Sequence, residues 1–587
     1  MIGDLKGVTI TMAIVVVMLI ATLPRVIQLK LDPDPRINQM SGAVTTTTSQ
    51  IARRGDLLDR AGRVLATSTV GHRLFLDPSL LENPDTIAID LHHLAGVDPA
   101  QIQQRLQDAT STKYVAVIDL LTDEQTEALQ SGAISGVGVE PRLVRHYPGE
   151  GTAEAFIGVV GFEHTGLGGA EFMHDKRLTG RDGALTWLRD VHRRPLWIDP
   201  GGFDPVGHGE DLRLSIDLEI QRIAESHLRT AVETYHAAGG RVIVLDTRSG
   251  ELLAITDSLR SRPGWDEHVV DPIRETMPRL ARNRCVTDPY EPGSTFKPFI
   301  WAAATEFGVV TEEEVLPTPS HTGHRTRSGR LIRDAHYYGP ASWRKVLIKS
   351  MNSGMAIVAE RMTPREMQHA VTTFGFGSPT RVGLPGETSG ILTSPKKWTT
   401  YTQTSVAMGH EIAVTPLQMV RAFSAFCRDG TMPTLKIVAD DLGTPTDPAQ
   451  ESATDIVQRA ISSSTAQQTR LIMRDVMTQG TGRRAQSTIY QLFGKSGTAQ
   501  LPIKGGGGYH EDRYVSSFIA GAPLNEPRLA VLCIIDDPDR SKAHYGGIVA
   551  GPVVRNIIDE TLAYLQIPPD IPQDDLLDAA RQSLSDH

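Results

Sequence analysis

The stretch Glu291-Pro292-Gly293-Ser294-Thr295-Phe296-Lys297-Pro298 lies in the middle of a chain of 587 residues. It is followed by an apolar, alanine-rich run, Phe299-Ile300-Trp301-Ala302-Ala303-Ala304, which predicts a buried helix. Serine is a preferred N-cap residue, so Ser294 is predicted at the helix N-terminus. Pro298 then falls in the first turn, where a missing backbone donor costs least. The stretch therefore predicts a serine presented at the mouth of a buried helix.

Lys297 follows Ser294 by three residues and is predicted on the same helical face. A serine hydroxyl is a weak nucleophile until a nearby base takes its proton, and a lysine with a lowered pKa can be that base. A second Ser-x-x-Lys, Ser394-Pro395-Lys396-Lys397, has neither the Glu-Pro-Gly lead-in nor an apolar helix behind it. We interpret this second copy as a surface turn and the first as a nucleophile with its base.

Two further motifs follow in order, Ser350-Met351-Asn352 and Lys495-Ser496-Gly497-Thr498. The ordered trio Ser-x-x-Lys, Ser-x-Asn and Lys-Ser/Thr-Gly is the signature of serine penicillin-recognising enzymes. The sequence resembles a class B penicillin-binding protein, a monofunctional peptidoglycan D,D-transpeptidase, and is most similar to the septal, cell-division type. The resemblance covers nearly the whole chain.

The resemblance implies an α+β fold with three parts. One N-terminal transmembrane helix and an elongated pedestal precede a C-terminal penicillin-binding transpeptidase domain. The transpeptidase domain is expected to be an antiparallel sheet flanked by helices, as in serine β-lactamases. The predicted boundaries are a cytoplasmic tail 1–6, a transmembrane anchor 7–25, a linker 26–50, a non-catalytic pedestal of the dimerisation type 51–205, the transpeptidase domain 206–569 and a polar tail 570–587.

Length and composition are consistent with this organisation. A chain of 587 residues is too long for one ordinary core, and its formal net charge of −10 argues against a nucleic-acid partner. The three cysteines, at positions 285, 427 and 533, cannot all pair and show no metal-site spacing. They are predicted to be small buried apolar residues.

The segment Gly7 to Leu23 carries no charge and is just long enough to cross a bilayer with its flanks. A cleaved signal peptide is the alternative, but the segment ends without an Ala-x-Ala site, which favours an uncleaved anchor. The flanking charges do not settle the orientation. The resemblance implies a single-pass protein of the bacterial cytoplasmic membrane with its catalytic domain on the extracytoplasmic side.

Within the pedestal, residues 53–66 predict a short hairpin that turns at Ala61-Gly62. They match the family element Arg-Gly-x-x-x-Asp-Arg-x-Gly-x-x-Leu-Ala, which we interpret as structural. Residues 86–135 carry amphipathic helical patterns and predict a small inserted subdomain. Glu171 belongs to a Gly-x-Glu element and is predicted to be structural, and residues 201–209 are predicted as a hinge-like linker.

In the transpeptidase region, residues 241–246 and 251–256 predict an antiparallel hairpin. Further strands are predicted from Leu492, over 514–520 and over 529–535, with a closing helix over 553–565 and a disordered tail after Pro568. In Met408 to Gln418 the family usually has glycine where this chain has Glu411. The zinc-protease motif His-Glu-x-x-His is excluded at His410-Glu411, because its fifth position is Val414 and not histidine. We interpret the segment as a rim of the active site.

By resemblance, Ser294 attacks the carbonyl that joins the last two D-alanines of a stem peptide. Lys297 is the base, and a neighbouring ammonium from Lys495 is expected to lower its pKa. The remaining roles assigned by resemblance are a proton relay at Ser350, amide binding by Asn352, oxyanion binding by the backbone N–H groups of Ser294 and Thr498, carboxylate binding by the hydroxyls of Ser496 and Thr498, and close approach of the substrate at Gly497.

The implied partners are a D-Ala-D-Ala donor, an amine acceptor, β-lactams as inhibitors, a membrane glycan polymerase and other cell-wall synthesis proteins. No metal or organic cofactor is implied. An elongation-type transpeptidase, or mainly a scaffold and activator of the polymerase, is the alternative. A β-lactamase or a carboxypeptidase shares the motifs, and a β-lactam sensor would need a signalling module that the sequence does not show.

Overall fold

A computed structural model describes residues 3–31, 45–81, 83–109, 113–132, 134–149, 151–190, 194–260, 262, 271–439, 457–505 and 507–571. The chain divides into two compact units, one formed by Met1–Gly55 with Thr179–Glu210 and the other by Asp56–Leu178 with Asp211–His587. The polar segment 32–44 of the predicted linker and the tail from residue 572 lie outside the described residues.

The helices are α1 Gly3–Leu31, α2 Pro84–Ala95, α3 Pro99–Gln107, α4 Asp123–Ser131, α5 Glu154–Ile157, α6 Gly169–Met173, α7 Asp175–Leu178, α8 Leu218–Thr234, α9 Arg284–Thr287, α10 Lys297–Glu306, α11 Trp343–Ile348, α12 Asn352–Ala359, α13 Pro364–Thr372, α14 Thr402–Ala407, α15 Pro416–Cys427, α16 Ser463–Gln479, α17 Gly546–Val549 and α18 Gly551–Tyr564. Short 3₁₀ turns occur at Pro78–Leu80, Pro278–Leu280, Gly293–Phe296, Pro395–Lys397 and Arg483–Ala485.

The strands are β1 Thr45–Gln50, β2 Leu57–Leu58, β3 Val64–Leu76, β4 Val115–Ile118, β5 Val137–His146, β6 Gly183–Arg189, β7 Pro195–Asp204, β8 Leu212–Arg213, β9 Gly239–Asp246, β10 Leu252–Leu259, β11 Val315–Leu316, β12 His324–Arg325, β13 Leu331–Ile332, β14 Ala341–Ser342, β15 Ile391–Leu392, β16 Ile412–Ala413, β17 Thr431–Met432, β18 Gln458–Arg459, β19 Phe493–Pro502, β20 Tyr509–Ala522 and β21 Leu529–Asp536.

Helix α1 contains a 21-residue stretch, Val8–Gln28, with a mean hydropathy of 2.3, which by length and composition can cross a membrane. The helix extends beyond the predicted anchor at both ends. Residues 3–6 of the predicted tail and 26–31 of the predicted linker are helical, because polar residues such as Lys6 and Lys30 are compatible with a helix.

A three-stranded antiparallel sheet in the order β1-β6-β7 completes the first unit. The prediction of a linker is therefore wrong over Thr45–Gln50, and the prediction of a hinge is wrong over the end of β7, where Gly201 and Gly202 lie within a strand. The threonine-rich sequence of β1 is β-branched and suits a strand, although its polarity is typical of a linker.

In the second unit, β3 pairs with both β4 and β5 in antiparallel register. Helices α2 to α4 pack beside this sheet, and Ile87, Leu91 and Ile102 join Leu74 and Leu76 of β3 in one small core. The predicted hairpin is present, with Gly62 in the left-handed region at φ 86°. The inserted helical subdomain predicted from amphipathic spacing is thus confirmed.

The hairpin element of residues 53–66 is structural, as predicted. The carboxylate of Asp59 accepts hydrogen bonds from Nε of Arg63 at 2.7 Å and from the backbone N–H of Leu218 at 3.0 Å, and Arg63 also pairs with Asp217. Strand β2 runs parallel to β8, so residues 56–178 pack in one unit with residues 211–571. Packing therefore divides the chain differently from the predicted boundary at 205/206.

A five-stranded antiparallel sheet in the order β10-β9-β21-β20-β19 forms the centre of the catalytic region. Residues of β9 and β21 are buried and alternate between two cores. One core contains α8 and α18 residues, and the other contains the apolar run of α10. The predicted hairpin, the later strands and the closing helix are confirmed, and β19 lies at the edge of the sheet.

Candidate active site

Ser294 lies in the 3₁₀ turn Gly293–Phe296, and the α-helix proper begins at Lys297. The prediction that Ser294 is a helix N-cap is therefore wrong. Gly293 adopts φ 54° and donates its N–H to the carbonyl oxygen of Gly409 at 3.0 Å, which starts the tight turn. The N–H of Lys297 donates to the carbonyl of Ser294. Residues three apart nearly eclipse one another in a 3₁₀ turn, so the side chains of Ser294 and Lys297 lie on one face, as expected.

Lys297 is fully buried, and its amine is held by the second motif. Its Nζ donates to the carbonyl oxygen of Ser350 at 2.7 Å and to Oδ1 of Asn352 at 2.7 Å, and lies 3.3 Å from Oγ of Ser350. Burial lowers the pKa of Lys297 to about 7, while Asp334 opposes this shift. A neutral amine has two hydrogens and one lone pair. The two close acceptors take both hydrogens, which leaves the lone pair to accept a proton.

The backbone and hydrogen bonds of the second motif, Ser350-Met351-Asn352, orient it toward Lys297. Ser350 adopts φ 56°, an uncommon conformation for a residue other than glycine, and Asn352 begins α12. Nδ2 of Asn352 donates to the carbonyl of Arg333 at 2.9 Å, so Oδ1 faces Lys297. Asp334 accepts hydrogen bonds from the N–H and hydroxyl of Ser353 and fixes the start of the helix.

Lys495 is also fully buried, on strand β19, and its Nζ donates to the carbonyl of Ser496 at 2.8 Å. Burial lowers its pKa well below the usual value, and the charge of Lys297 adds to the effect. The expectation that a neighbouring ammonium lowers the pKa of Lys297 is thus corrected. Burial is the main cause of the lowered pKa of both lysines, and the repulsion between them lowers the pKa of Lys495.

The third motif lies against the serine turn. A Cβ on Gly497 would lie 2.6 Å from Oγ of Ser517, 2.8 Å from the carbonyl oxygen of Pro292 and 2.9 Å from Cγ2 of Thr295. Glycine is therefore required here by the protein's own turn, which brings β19 beside Ser294. The sequence predicted a close approach of the substrate at Gly497, whereas in the structure the close neighbours of Gly497 are Ser517, Pro292 and Thr295.

The hydroxyls of the third motif already have one partner each. Oγ of Ser496 lies 2.7 Å from Oγ1 of Thr481, and Oγ1 of Thr498 accepts the N–H of Gly546 at 3.0 Å. Because that oxygen accepts a hydrogen bond, the hydroxyl hydrogen of Thr498 remains available as a donor to an anion.

The segment 409–414 borders the serine turn, as the sequence predicts. Tyr290 and Val414 exchange two backbone hydrogen bonds, and Glu411 adopts φ 55° at the position where glycine was expected. The carboxylate of Glu291 accepts from the N–H of Glu411 at 3.0 Å, from Nδ1 of His410 at 3.0 Å and from the Tyr509 hydroxyl at 3.1 Å. Burial and Glu291 raise the pKa of Tyr509.

The structure thus brings together Lys297, Ser350 and Asn352, and it sets β19 beside the turn that carries Ser294. Sequence reasoning assigned no role to Asp334, Glu291, His410 and Tyr509. Glu291 opens the stretch that carries Ser294, and His410 precedes the altered position Glu411, whereas Asp334 and Tyr509 lie in no motif. The second Ser-x-x-Lys is an exposed turn, as predicted, and all three cysteines are free and buried.

Two family models match the chain. The penicillin binding protein transpeptidase domain matches residues 240–559, and the penicillin-binding protein dimerisation domain matches residues 49–214. The chain belongs to the class B penicillin-binding proteins. The matches place both a pedestal of the dimerisation type and a transpeptidase domain in this penicillin-binding protein.

Relatives of this penicillin-binding protein match over most of their length. A probable peptidoglycan D,D-transpeptidase, PenA of Neisseria gonorrhoeae, is 31% identical over 91% of this chain and 88% of its own. Stage V sporulation protein D of Bacillus subtilis is 30% identical over 88% of this chain and 79% of its own. The transpeptidase domain of penicillin-binding protein 3 from Burkholderia pseudomallei is 32% identical, with a TM-score of 0.52 over 61% of this chain and 98% of that domain.

Proposed function

We propose that this penicillin-binding protein cross-links peptidoglycan through an acyl-enzyme on Ser294. The observation that carries the proposal is the environment of Lys297, a buried amine with a pKa of about 7 whose hydrogens are taken by Ser350 and Asn352. Such an amine accepts the proton of the Ser294 hydroxyl as its oxygen attacks the carbonyl between the last two D-alanines.

The developing oxyanion is bound by the backbone N–H groups of Ser294 and Thr498. Support comes from the packing of the serine turn on β19, where a Cβ on Gly293 would lie 3.5 Å from the carbonyl oxygen of Thr498. The hydroxyls of Ser496 and Thr498 bind the terminal carboxylate, and Lys495 of the same strand donates its Nζ hydrogen to the carbonyl of Ser496. D-Alanine then leaves, and the amine of a neighbouring stem attacks the ester on Ser294 to form the cross-link.

The test uses the full-length protein in detergent, incubated with a fluorescent penicillin. The wild type is compared with Ser294→Ala and with Ser394→Ala, the serine of the exposed second Ser-x-x-Lys. We expect label on the wild type and on Ser394→Ala and none on Ser294→Ala. Label that persists on Ser294→Ala would reject the proposed nucleophile.

The setting of the reaction forms the second part of the proposal. We propose that α1 anchors the protein in the bacterial cytoplasmic membrane, with the catalytic region outside, and that it acts at division with a membrane glycosyltransferase. Support for the anchor comes from the 21-residue apolar stretch of α1, and support for division comes from the Tyr290–Gly293 lead-in, which resembles that of the septal type. The test is depletion of the protein followed by complementation with Ser294→Ala. We expect depleted cells to grow as filaments and the wild-type protein, but not the variant, to restore division. Cells that lose their normal width instead would indicate a role in elongation.

A further inference from the structure

A cavity of about 630 Å³ begins where the third motif ends. Its walls come from residues 499–502 of β19, from 411–413 and from 287–291. It therefore continues along the edge strand from Thr498 and borders the segment that leads to Ser294. Its lining also includes the buried residues Arg241, Arg284 and Asp536.

Most of the charges in the cavity are compensated within the protein. Asp536 pairs with Arg241 at 2.7 Å and with Arg284 at 2.5 Å, and Asp288 pairs with Arg282 at 3.1 Å and with Arg284 at 3.3 Å. Glu291 accepts three hydrogen bonds, one of them from His410. The arginines and aspartates of the cavity wall are therefore paired with one another, and Glu291 is held by three hydrogen bonds.

Glu411 is the exception. One of its carboxylate oxygens accepts a hydrogen bond from the neutral hydroxyl of Thr402 at 2.6 Å, and the carboxylate forms no ion pair within the part of the chain that the structure describes. Its backbone is in the left-handed region at φ 55°, which is strained for a residue with a Cβ. The chain thus keeps a strained backbone that presents an exposed, uncompensated negative charge at the cavity wall.

The direction in which a donor peptide runs over this cavity follows from the proposed function, on which this inference rests. Ser496 holds the terminal carboxylate, and the N–H of Thr498 holds the scissile carbonyl, which belongs to the preceding residue. The peptide therefore runs antiparallel to β19, and its earlier residues lie against 499–502. Strand β19 is an edge strand and can pair with such a peptide.

We propose that this cavity binds the side chain of the residue that precedes the D-alanine pair, and that Glu411 selects an ammonium group on that side chain. The stem peptide that fits is one in which the residue before the D-alanine pair is a diamino acid with a free amine. A neutral or acetylated side chain enters the same cavity without the ion pair.

The experiment uses two penicillins that are identical except at the end of the acyl side chain, which is a primary ammonium in one and its N-acetyl derivative in the other. The second-order rate constant for acylation of the full-length protein is measured by intact-protein mass spectrometry. Glu411→Gln removes the charge and keeps the size of the side chain. Glu526→Gln, an exposed glutamate that is 85% accessible and outside the cavity lining, is the matched control.

We expect the wild type and Glu526→Gln to react about five-fold faster with the ammonium compound, which corresponds to about 1 kcal/mol for a partly exposed ion pair. In Glu411→Gln the ratio falls to about one, through slower reaction of the ammonium compound alone, and high salt reduces the wild-type ratio.

Equal rates in the wild type, or a preference that survives in Glu411→Gln, would overturn the inference and leave the proposed function intact. Failure of both penicillins to acylate the wild type would overturn the proposed function and the inference with it.

Discussion

Oδ1 of Asn352 accepts a hydrogen bond from Nζ of Lys297 at 2.7 Å, while Nδ2 of the same amide is held by the carbonyl of Arg333. The amide therefore cannot turn its donor end toward the lysine without losing both bonds. In this orientation Asn352 accepts a hydrogen from Lys297 without adding a charge. The second motif consequently orients the proposed base and lets burial lower its pKa.

The first prediction concerns pH. Burial lowers the pKa of Lys297 to about 7, so the fraction of neutral amine increases as the pH rises through that value. Because only the neutral form accepts the serine proton, we expect the acylation rate constant with benzylpenicillin to rise about ten-fold per pH unit below the midpoint and to level off above it. Lys297→Arg should abolish the reaction, whereas Lys397→Arg, in the exposed second motif, should leave the profile unchanged.

The second prediction is the effect of Asn352→Asp on the same profile. A carboxylate in contact with Nζ of Lys297 stabilises the ammonium form and raises its pKa by about 1–3 units. The midpoint of the acylation profile should move upward, and the rate at pH 7 should fall about five-fold for a rise of one unit and more for a larger rise. The variant is nearly isosteric, so the melting temperature serves as the check on folding. A midpoint that stays near pH 7 would mean that Lys297 is not the group that titrates.

The local parts of the site were predictable from the sequence. Ser294 and Lys297 are three residues apart, and any helical turn brings them together. The strands around Lys495 follow from their apolar pattern, and the helices over 84–131 follow from their spacing. In each case the physical cause is contained in a short window of the chain.

The electrostatic parts were not predictable in the same way. The pKa of Lys297 depends on its complete burial and on Asp334, which lies 37 residues away in sequence and in no motif. The hydrogen bonds of Glu291 to His410 and Tyr509 join three distant segments. Strand β1 was missed because its threonines have the polarity of a linker, and pairing with β6 decides its structure.

The third prediction concerns Gly497→Ala. A Cβ at this position would lie within 3 Å of Ser517, Pro292 and Thr295, so β19 and the serine turn must separate. Overpacking of this kind costs about 1–3 kcal/mol and should also displace Thr498 from the proposed oxyanion site. We expect a lower melting temperature and penicillin labelling reduced by at least about ten-fold, since loss of one oxyanion donor costs about that much or more.

The control for this change is Gly507→Ala, in the loop between β19 and β20. No heavy atom of the described residues lies within 4 Å of a Cβ at Gly507, so this variant should keep both its stability and its labelling. Labelling of Gly497→Ala at the wild-type rate would show that β19 does not need to contact the serine turn so closely.

The fourth prediction concerns the buried ion pair of Glu171 and Arg145, whose side chains are 0% and 1% exposed and whose Oε1 and Nε atoms are 2.8 Å apart. Glu171→Ala leaves the guanidinium buried without this partner, so we expect the free energy of unfolding in urea to fall by about 3–5 kcal/mol. Penicillin labelling of the folded protein should stay at the wild-type rate, because Glu171 is predicted to be structural and lies outside the three motifs. Glu526→Ala, which removes an exposed ion pair with Arg248, should change the free energy by less than about 1 kcal/mol. A Glu171→Ala protein that is as stable as this control and no longer labels would instead assign Glu171 a role in the reaction.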